Sequence, residues 1–200
     1  MYQLNEQYYN IPVPSIHHHI KIMDSINRQQ EEENHKDLSG NEAGKKIKDL
    51  AGKNNTCFFC TGIQHGKPLT VRPMAVQKMD EHGNFWFLSA NDSHKNQDIM
   101  NDPNVQLLFQ GSAHSDFLSI YGTATISTDK ELINELWEPL LKTWFTGGID
   151  DPRITAIKVD TKEGYYWDNK HGDAIALVKM AAGAVMGKTM DDSIEGRLEV

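Results

Sequence analysis

Apolar and polar residues change rhythm several times along the chain. "TCFFCTGI" (56–63) is a short apolar run, and "LTVRPMAVQKM" (69–79) alternates. "FWFLSA" (85–90) follows the turn "DEHGN" at hairpin spacing, so these stretches predict strands. "NVQLLFQG" (104–111) and "DFLSIYGTATIS" (116–127), joined by the polar turn "SAHS", predict two more, and "RITAIKVDTKEGYYWD" (153–168) a last long strand pair or hairpin. Other segments carry the helical period. Ile47, Leu50 and Ala51 predict a helix that stops at Gly52, and "SHKNQDIMNDP" (93–103) a short one with Ser93 placed to cap it. Leu132, Leu136, Leu140 and Leu141 predict one helix over 129–145, and Ile175, Val178, Ala182, Val185 and Met186 a closing helix.

The strands come as consecutive runs at hairpin spacing, not one by one between long helices. That order predicts a mainly β chain with α elements, an antiparallel barrel decorated by helices. Residues 1–38 are polar and end in "NRQQEEENHKD". They read as a flexible N-terminal tail outside the core. The domain then occupies residues 39–190, and residues 191–200 read as an acidic C-terminal tail.

The formal net charge of −8 argues against a broad nucleic-acid surface, so an anionic ligand needs a local cluster of donors. No apolar run is long enough to span a membrane, and the N-terminus lacks the basic start and apolar middle of a signal peptide. A cytoplasmic protein is expected. The two cysteines, Cys57 and Cys60, are too few for a disulfide framework. On a strand they point to opposite faces, so they read as buried small hydrophobes, not as a zinc or redox pair. His17, His18 and His19 read as a short natural run on the tail, and no metal site is expected.

The alternating stretch 69–79 holds an oddity, Arg72 followed by Pro73 at its centre. Proline cannot donate to a ladder, and the residue before it is driven to an extended conformation. Arg72, Met74 and Val76 share one face of a regular strand. In "SANDSHKNQDI" a strand ends at Ser89 and a helix starts at Ser93, where backbone N–H groups and the helix dipole favour an anion. Lys95 adds a positive charge, and His94 lies within the same loop. Taken singly, these are an edge-strand arginine and a capped helix with a solvated lysine. Set side by side, Arg72 and Ser93–Lys95 form a phosphate clamp.

"VRPM" followed by "FWFLSANDSHKNQDI" resembles the pyridoxamine 5'-phosphate oxidase-like FMN-binding split barrel, and more closely its general stress protein 26-like branch. The resemblance runs from about Gly44 to Gly187 and takes in "GTATI", the segment Trp144–Ile154 and "YYWD" at Tyr165–Asp168. It implies that Arg72, Ser93 and Lys95 hold the FMN phosphate. Pro73, Met74 and Ala75 would lie along the flavin ring, with Leu88 and Ser89 against the ring or ribityl chain. It further implies a homodimer with the cofactor at the interface, so that Trp144 and Trp167 approach the flavin from the second subunit. FMN is the expected cofactor, with deazaflavin or haem as alternatives in the same pocket. The implied activity is a flavin-dependent oxidoreductase on an unidentified small substrate, the alternative being a flavin-binding sensor without turnover. No residue stands out as catalytic acid or base. A true pyridoxine 5'-phosphate oxidase is not expected. In that enzyme an Arg-x-His pair lies near the C-terminus, and here Glu199 stands two residues after Arg197, in the histidine's place.

Overall fold

The structure is a computed structural model that describes residues 33–63, 66–113, 115–186 and 192–200. His17, His18, His19, His65 and His114 lie outside the described residues. The element order is β1 (Leu38–Ser39), α1 (Gly40–Ala51), β2 (Thr56–Thr61), β3 (Thr70–Ala75), β4 (Lys78–Met79), β5 (Phe85–Ala90), α2 (His94–Asn101), β6 (Asn104–Gln110), β7 (Phe117–Ser127), α3 (Lys130–Leu136), β8 (Ile154–Asn169), α4 (Asp173–Met186) and β9 (Ser193–Glu199). The fold is therefore mainly β with helices. No helix among the described residues is long and apolar enough to cross a membrane.

The strands join one mixed sheet in the order β1-β9-β8-β7-β6-β2-β3, with β5 pairing β8 and β4. Every pairing is antiparallel except β1 against β9. β3 and β4 are consecutive pieces of one segment: β3 lies against β2, and two residues later β4 lies against β5. One core cluster, which includes Ile47, Phe59, Phe85, Phe87, Leu107, Ile120 and Val159, fills the space between α1 and the sheet. A second packs Leu88, Ile154 and Ala156 beneath Ile133 and Leu136 of α3.

Three expectations are corrected. The segment 153–168 is one continuous strand, β8, not a hairpin. Its "TKEG" centre looks like a turn, but one edge of β8 is held by β7 along nearly its whole length. The helix expected over 129–145 ends at Leu136 and gives way to a 3-10 turn over Pro139–Thr143. Pro139 has no N–H to continue the ladder and pushes Glu138 out of the helical region. Leu140 is therefore exposed instead of sharing the buried face of Leu136.

The third correction concerns the two tails. Residues 193–199 form β9, and residues 34–39 run alongside it. Lys36 N donates to Glu195 O (2.8 Å) and Glu195 N to Asn34 O (2.9 Å). The buried Tyr166 donates its hydroxyl to Lys36 O at 2.8 Å. These contacts use backbone groups, so the polar side chains of 33–37 hide them. In β9 only Ile194 and Leu198 face the core, which dilutes the alternation with Glu195, Arg197 and Glu199 on the other face.

Candidate functional site

Pro73 sits on β3, the last strand of its sheet path. Val76 N donates to Asn55 O at 2.7 Å. In an antiparallel pair the hydrogen-bonded positions alternate. Counting back from Val76, residues 74, 72 and 70 bond to β2, and 71, 73 and 75 turn their backbone groups to the free edge. The proline's missing N–H thus falls where no strand partner waits among the described residues, and the carbonyls of Val71 and Pro73 stay outside the ladder, while Ala75 O accepts from Gln77 Nε2 at 3.2 Å. An ordinary edge strand would also tolerate the proline. The charged groups gathered beside this edge are what make it a candidate site.

Arg72 and Met74 point to the core side of β3, opposite Phe59 and Cys57 of β2. Met74 packs against the core. The Arg72 guanidinium donates from Nη1 to Thr61 Oγ1 (2.9 Å) and from Nη2 to Asp98 Oδ2 (2.9 Å). Thr61 Oγ1 in turn donates to Asp98 Oδ2 at 2.6 Å. The Thr61 hydroxyl bond, aided by Arg72, holds the Asp98 carboxyl below its usual range despite partial burial.

α2 starts as its sequence predicts. Ser93 is the N-cap, and its Oγ accepts from Asn96 N at 3.3 Å. Ser89, at the end of β5, is buried. Its hydroxyl lies 3.1 Å from Ser93 Oγ and accepts from Lys95 Nζ at 2.8 Å. Behind it, Asn96 Nδ2 donates to Thr155 Oγ1 (2.8 Å) and Thr155 Oγ1 to Ser89 O (2.9 Å), which fixes β5, α2 and β8 together. Lys95 is half-buried. Desolvation first, and the Arg72 charge second, push its ammonium pKa down. Among the described residues no carboxylate lies within salt-bridge distance of it. A desolvated cation with a hydroxyl partner and no counter-ion is a place for an anion.

The fold thus brings Arg72, Ser89, Ser93 and Lys95 into one neighbourhood. Leu88 points the other way, into the second core cluster, so only its backbone faces Ser89's surroundings. Pro73 and Ala75 lie on the outer face of β3 and are exposed. Trp144 follows the 3-10 turn and is 65% exposed, and Trp167 on β8 is 43% exposed, with its ring 4.7 Å from that of Tyr165. Neither indole belongs to the charged cluster within one chain. Both cysteines are free and buried. Cys57 shares the core face with Met74, while Cys60 pairs with Val71 on the other face. Burial raises both thiols, Cys57 to about 12, so neither is poised as a thiolate.

Thr61, Asn96, Asp98 and Thr155 also belong to this cluster, and sequence reasoning passed over them. Asp98 had one usable signal, its place three residues after Lys95 on the same helix. Thr61 and Thr155 reach the cluster only through long-range pairing.

Known proteins resemble this chain over most of its length. Residues 42–191 match the family described as pyridoxamine 5'-phosphate oxidase like. Protein bli-3 of Neurospora crassa is 28% identical over 155 residues, covering 72% of this chain and 74% of that protein. General stress protein 26 of Bacillus subtilis is 28% identical over 78 residues, 38% of this chain and 55% of its own length. The fold is also that of a general stress protein 26 from Jannaschia sp. CCS1, with TM-score 0.65 and 20% identity over 80% of this chain and 99% of that one. A general stress FMN/FAD binding protein from Xanthomonas citri gives TM-score 0.52 at 24% identity, covering 62% and 87%. With three-quarters of its length inside the family match, the chain belongs to the pyridoxamine 5'-phosphate oxidase-like family.

Proposed function

We propose that the protein is a flavoprotein that holds FMN across the free edge of β3, within a split barrel that works as a homodimer. The carrying observation is Lys95, desolvated and without a carboxylate partner among the described residues, beside Arg72, Ser89 and Ser93. These groups suit a phosphate monoester: two cations, two hydroxyls and the first turn of α2. The ring would then lie along Pro73, Met74 and Ala75, where the edge backbone offers donors and acceptors. Leu88 would contribute its backbone. Bound FMN supplies the hydride and electron chemistry, and this chain binds, orients and shields it. A flavin-dependent oxidoreductase acting on a small substrate is the activity this reading supports, with a non-catalytic flavin sensor as the alternative. Titration with FMN is expected to quench flavin fluorescence at one FMN per chain. No quenching and no shift in the visible spectrum would remove the basis of the reading.

The homodimer is supported by the outer face of the sheet. Phe58 (54% exposed), Val71 (49%) and Leu108 stand open there with Pro73, and cross-strand pairing continues this face through Ser119 and Tyr165 to Arg197. So wide an apolar and aromatic surface on a sheet calls for a covering partner. A second copy seated there would bring its own Trp144 or Trp167 to the flavin. Light scattering of the FMN-loaded protein at micromolar concentration should give twice the mass of one chain. A single-chain mass would rule the dimer out.

Oxidation of pyridoxine 5'-phosphate is not part of the proposal. Arg197 and Glu199 share the outer face with Glu163, Tyr121, Tyr165, Gln106 and Ser119, around an open groove of about 490 Å³. One guanidinium facing two carboxylates repels a second phosphate ester. A coupled assay on FMN-loaded protein should show no formation of pyridoxal 5'-phosphate. Turnover near ~1 s⁻¹, the low end of typical enzymes, would overturn this.

A further inference from the structure

We infer that Asp98 is a positioning residue for the anion site: with Thr61 it holds one edge of the Arg72 guanidinium and turns the other edge toward the ligand phosphate. The inference rests on the phosphate-clamp reading above.

The geometry is a closed triangle. Asp98 Oδ2 accepts from Thr61 Oγ1 and from Arg72 Nη2, while Arg72 Nη1 donates to Thr61 Oγ1. Each corner comes from a different element. Arg72 is opposite Phe59, and Thr61 lies two residues farther along β2 on the same face, fully buried. Asp98 arrives from α2, one turn after Lys95. The triangle therefore ties both cations of the clamp to one helix.

A guanidinium has five N–H donors in a rigid fork. Thr61 and Asp98 take one from each η nitrogen. Nε–H and one N–H on each η nitrogen remain, enough for a bidentate grip on a phosphate without releasing the triangle. A free arginine would have to give up much rotamer freedom on binding. Here that cost is met in the fold, before the ligand arrives.

Asp98 also acts against the ligand through its charge. Arg72 and Lys95 contribute two positive charges and Asp98 one negative, a net of +1 (2 − 1) facing a phosphate that approaches two negative charges. Geometry and charge thus pull in opposite directions, and two substitutions separate them. Asp98→Asn keeps an acceptor oxygen for Thr61 and Arg72 and drops the charge. Asp98→Ala drops both. The readout is the ratio of FMN to riboflavin affinity, because riboflavin lacks the phosphate and a general loosening of the fold moves both ligands alike.

Asp98→Ala should lower the ratio by about tenfold, and Asp98→Asn should leave it at or above the parent's. Thr61→Val, which keeps the buried shape and removes the hydroxyl, should behave like Asp98→Ala and carries the test if that variant does not fold. Equal losses for both flavins, an unchanged ratio in Asp98→Ala and Thr61→Val, or an Asp98→Asn ratio as low as that of Asp98→Ala would overturn the inference. Arg72→Ala is run alongside. If it lowers the ratio while Asp98→Ala does not, the clamp stands and the positioning role falls. If Arg72→Ala leaves the ratio unchanged, the clamp itself is wrong and the inference falls with it.

Discussion

Arg72→Ala and Lys95→Ala are each expected to weaken FMN binding by about 1.5–3 kcal/mol, the range for hydrogen bonds to charged groups. That corresponds to roughly 10- to 150-fold in dissociation constant. Riboflavin should bind both variants nearly as it binds the parent, since in the proposed site the phosphate is the only part of the flavin that these donors would meet. The two substitutions differ in what they leave behind. Without Arg72, the Asp98 carboxylate keeps Thr61 but loses its counter-charge beside the incoming phosphate, so Arg72→Ala belongs at the upper end of the range. Without Lys95, Ser89 Oγ still has the Ser93 hydroxyl at 3.1 Å, and the loss is that of one desolvated cation. Isothermal titration with the two flavins measures both. Equal losses of FMN and riboflavin would show that these side chains do not touch the phosphate.

Lys95 adds a pH dependence with a definite sign. Burial and Arg72 lower its pKa in the free protein, and a bound phosphate dianion draws it back up. Binding is then strongest where Lys95 is already protonated. It weakens as pH rises through the lowered free-state pKa toward the bound-state value. Lys95→Arg, which stays charged throughout, should flatten the alkaline limb. An equally steep limb in that variant would assign it to another group.

How far such a site can be read from sequence depends on which contacts are local. Ser93 as a helix cap, Lys95 two residues on, and Arg72 with Pro73 on a strand are local patterns, and the structure joins Ser93 and Lys95 at Ser89 with the Arg72 charge acting on Lys95. The edge position of β3 was legible too, because a proline mid-strand is tolerated in few other places. Thr61 and Thr155 were not legible, and Asp98 offered only its place three residues after Lys95, because their roles depend on which strand and helix lie opposite. The fold shows the same division. Apolar runs, alternation and hairpin spacing marked β2, β3, β5, β6 and β7. They missed β9 and residues 33–37, where backbone hydrogen bonds do the holding and acidic side chains cover the outer face. The unbroken β8 was concealed by a polar centre that reads as a turn.

That polar centre carries the second large effect. Gly122 on β7 pairs with Thr161, while its neighbour Tyr121 pairs with Glu163, so Lys162 is an extra residue in β8. This bulge is where β8 changes its other neighbour: Phe85–Ala90 of β5 pair with Ile154–Val159, and β9 pairs from Glu163 onward. Bulges bend a strand and raise its local twist, which lets one strand serve two diverging partners. Thr161 is pinned there, its N–H donating to Asn84 Oδ1 (3.0 Å) and its hydroxyl to Gly83 O (2.6 Å). A Cβ on Gly122 would stand 2.5 Å from Asp160 O and 3.0 Å from Val159 Cγ1. The carbonyl belongs to the pinned bulge and cannot swing aside as a flexible side chain would. Gly122→Ala is therefore expected to destabilise by at least the ~1–3 kcal/mol typical of overpacking, which at about 2–4 °C per kcal/mol for a chain of this size is a clear fall in midpoint. Gly122→Val should cost more. The clamp is built from β2, β3, β5 and α2, so FMN should bind Gly122→Ala with parental affinity well below its midpoint. Thermal unfolding of the flavin-free protein and a titration at low temperature check the two halves separately. An unchanged midpoint would mean that the bulge yields freely to a methyl group and is not what fixes the division of β8 between β5 and β9.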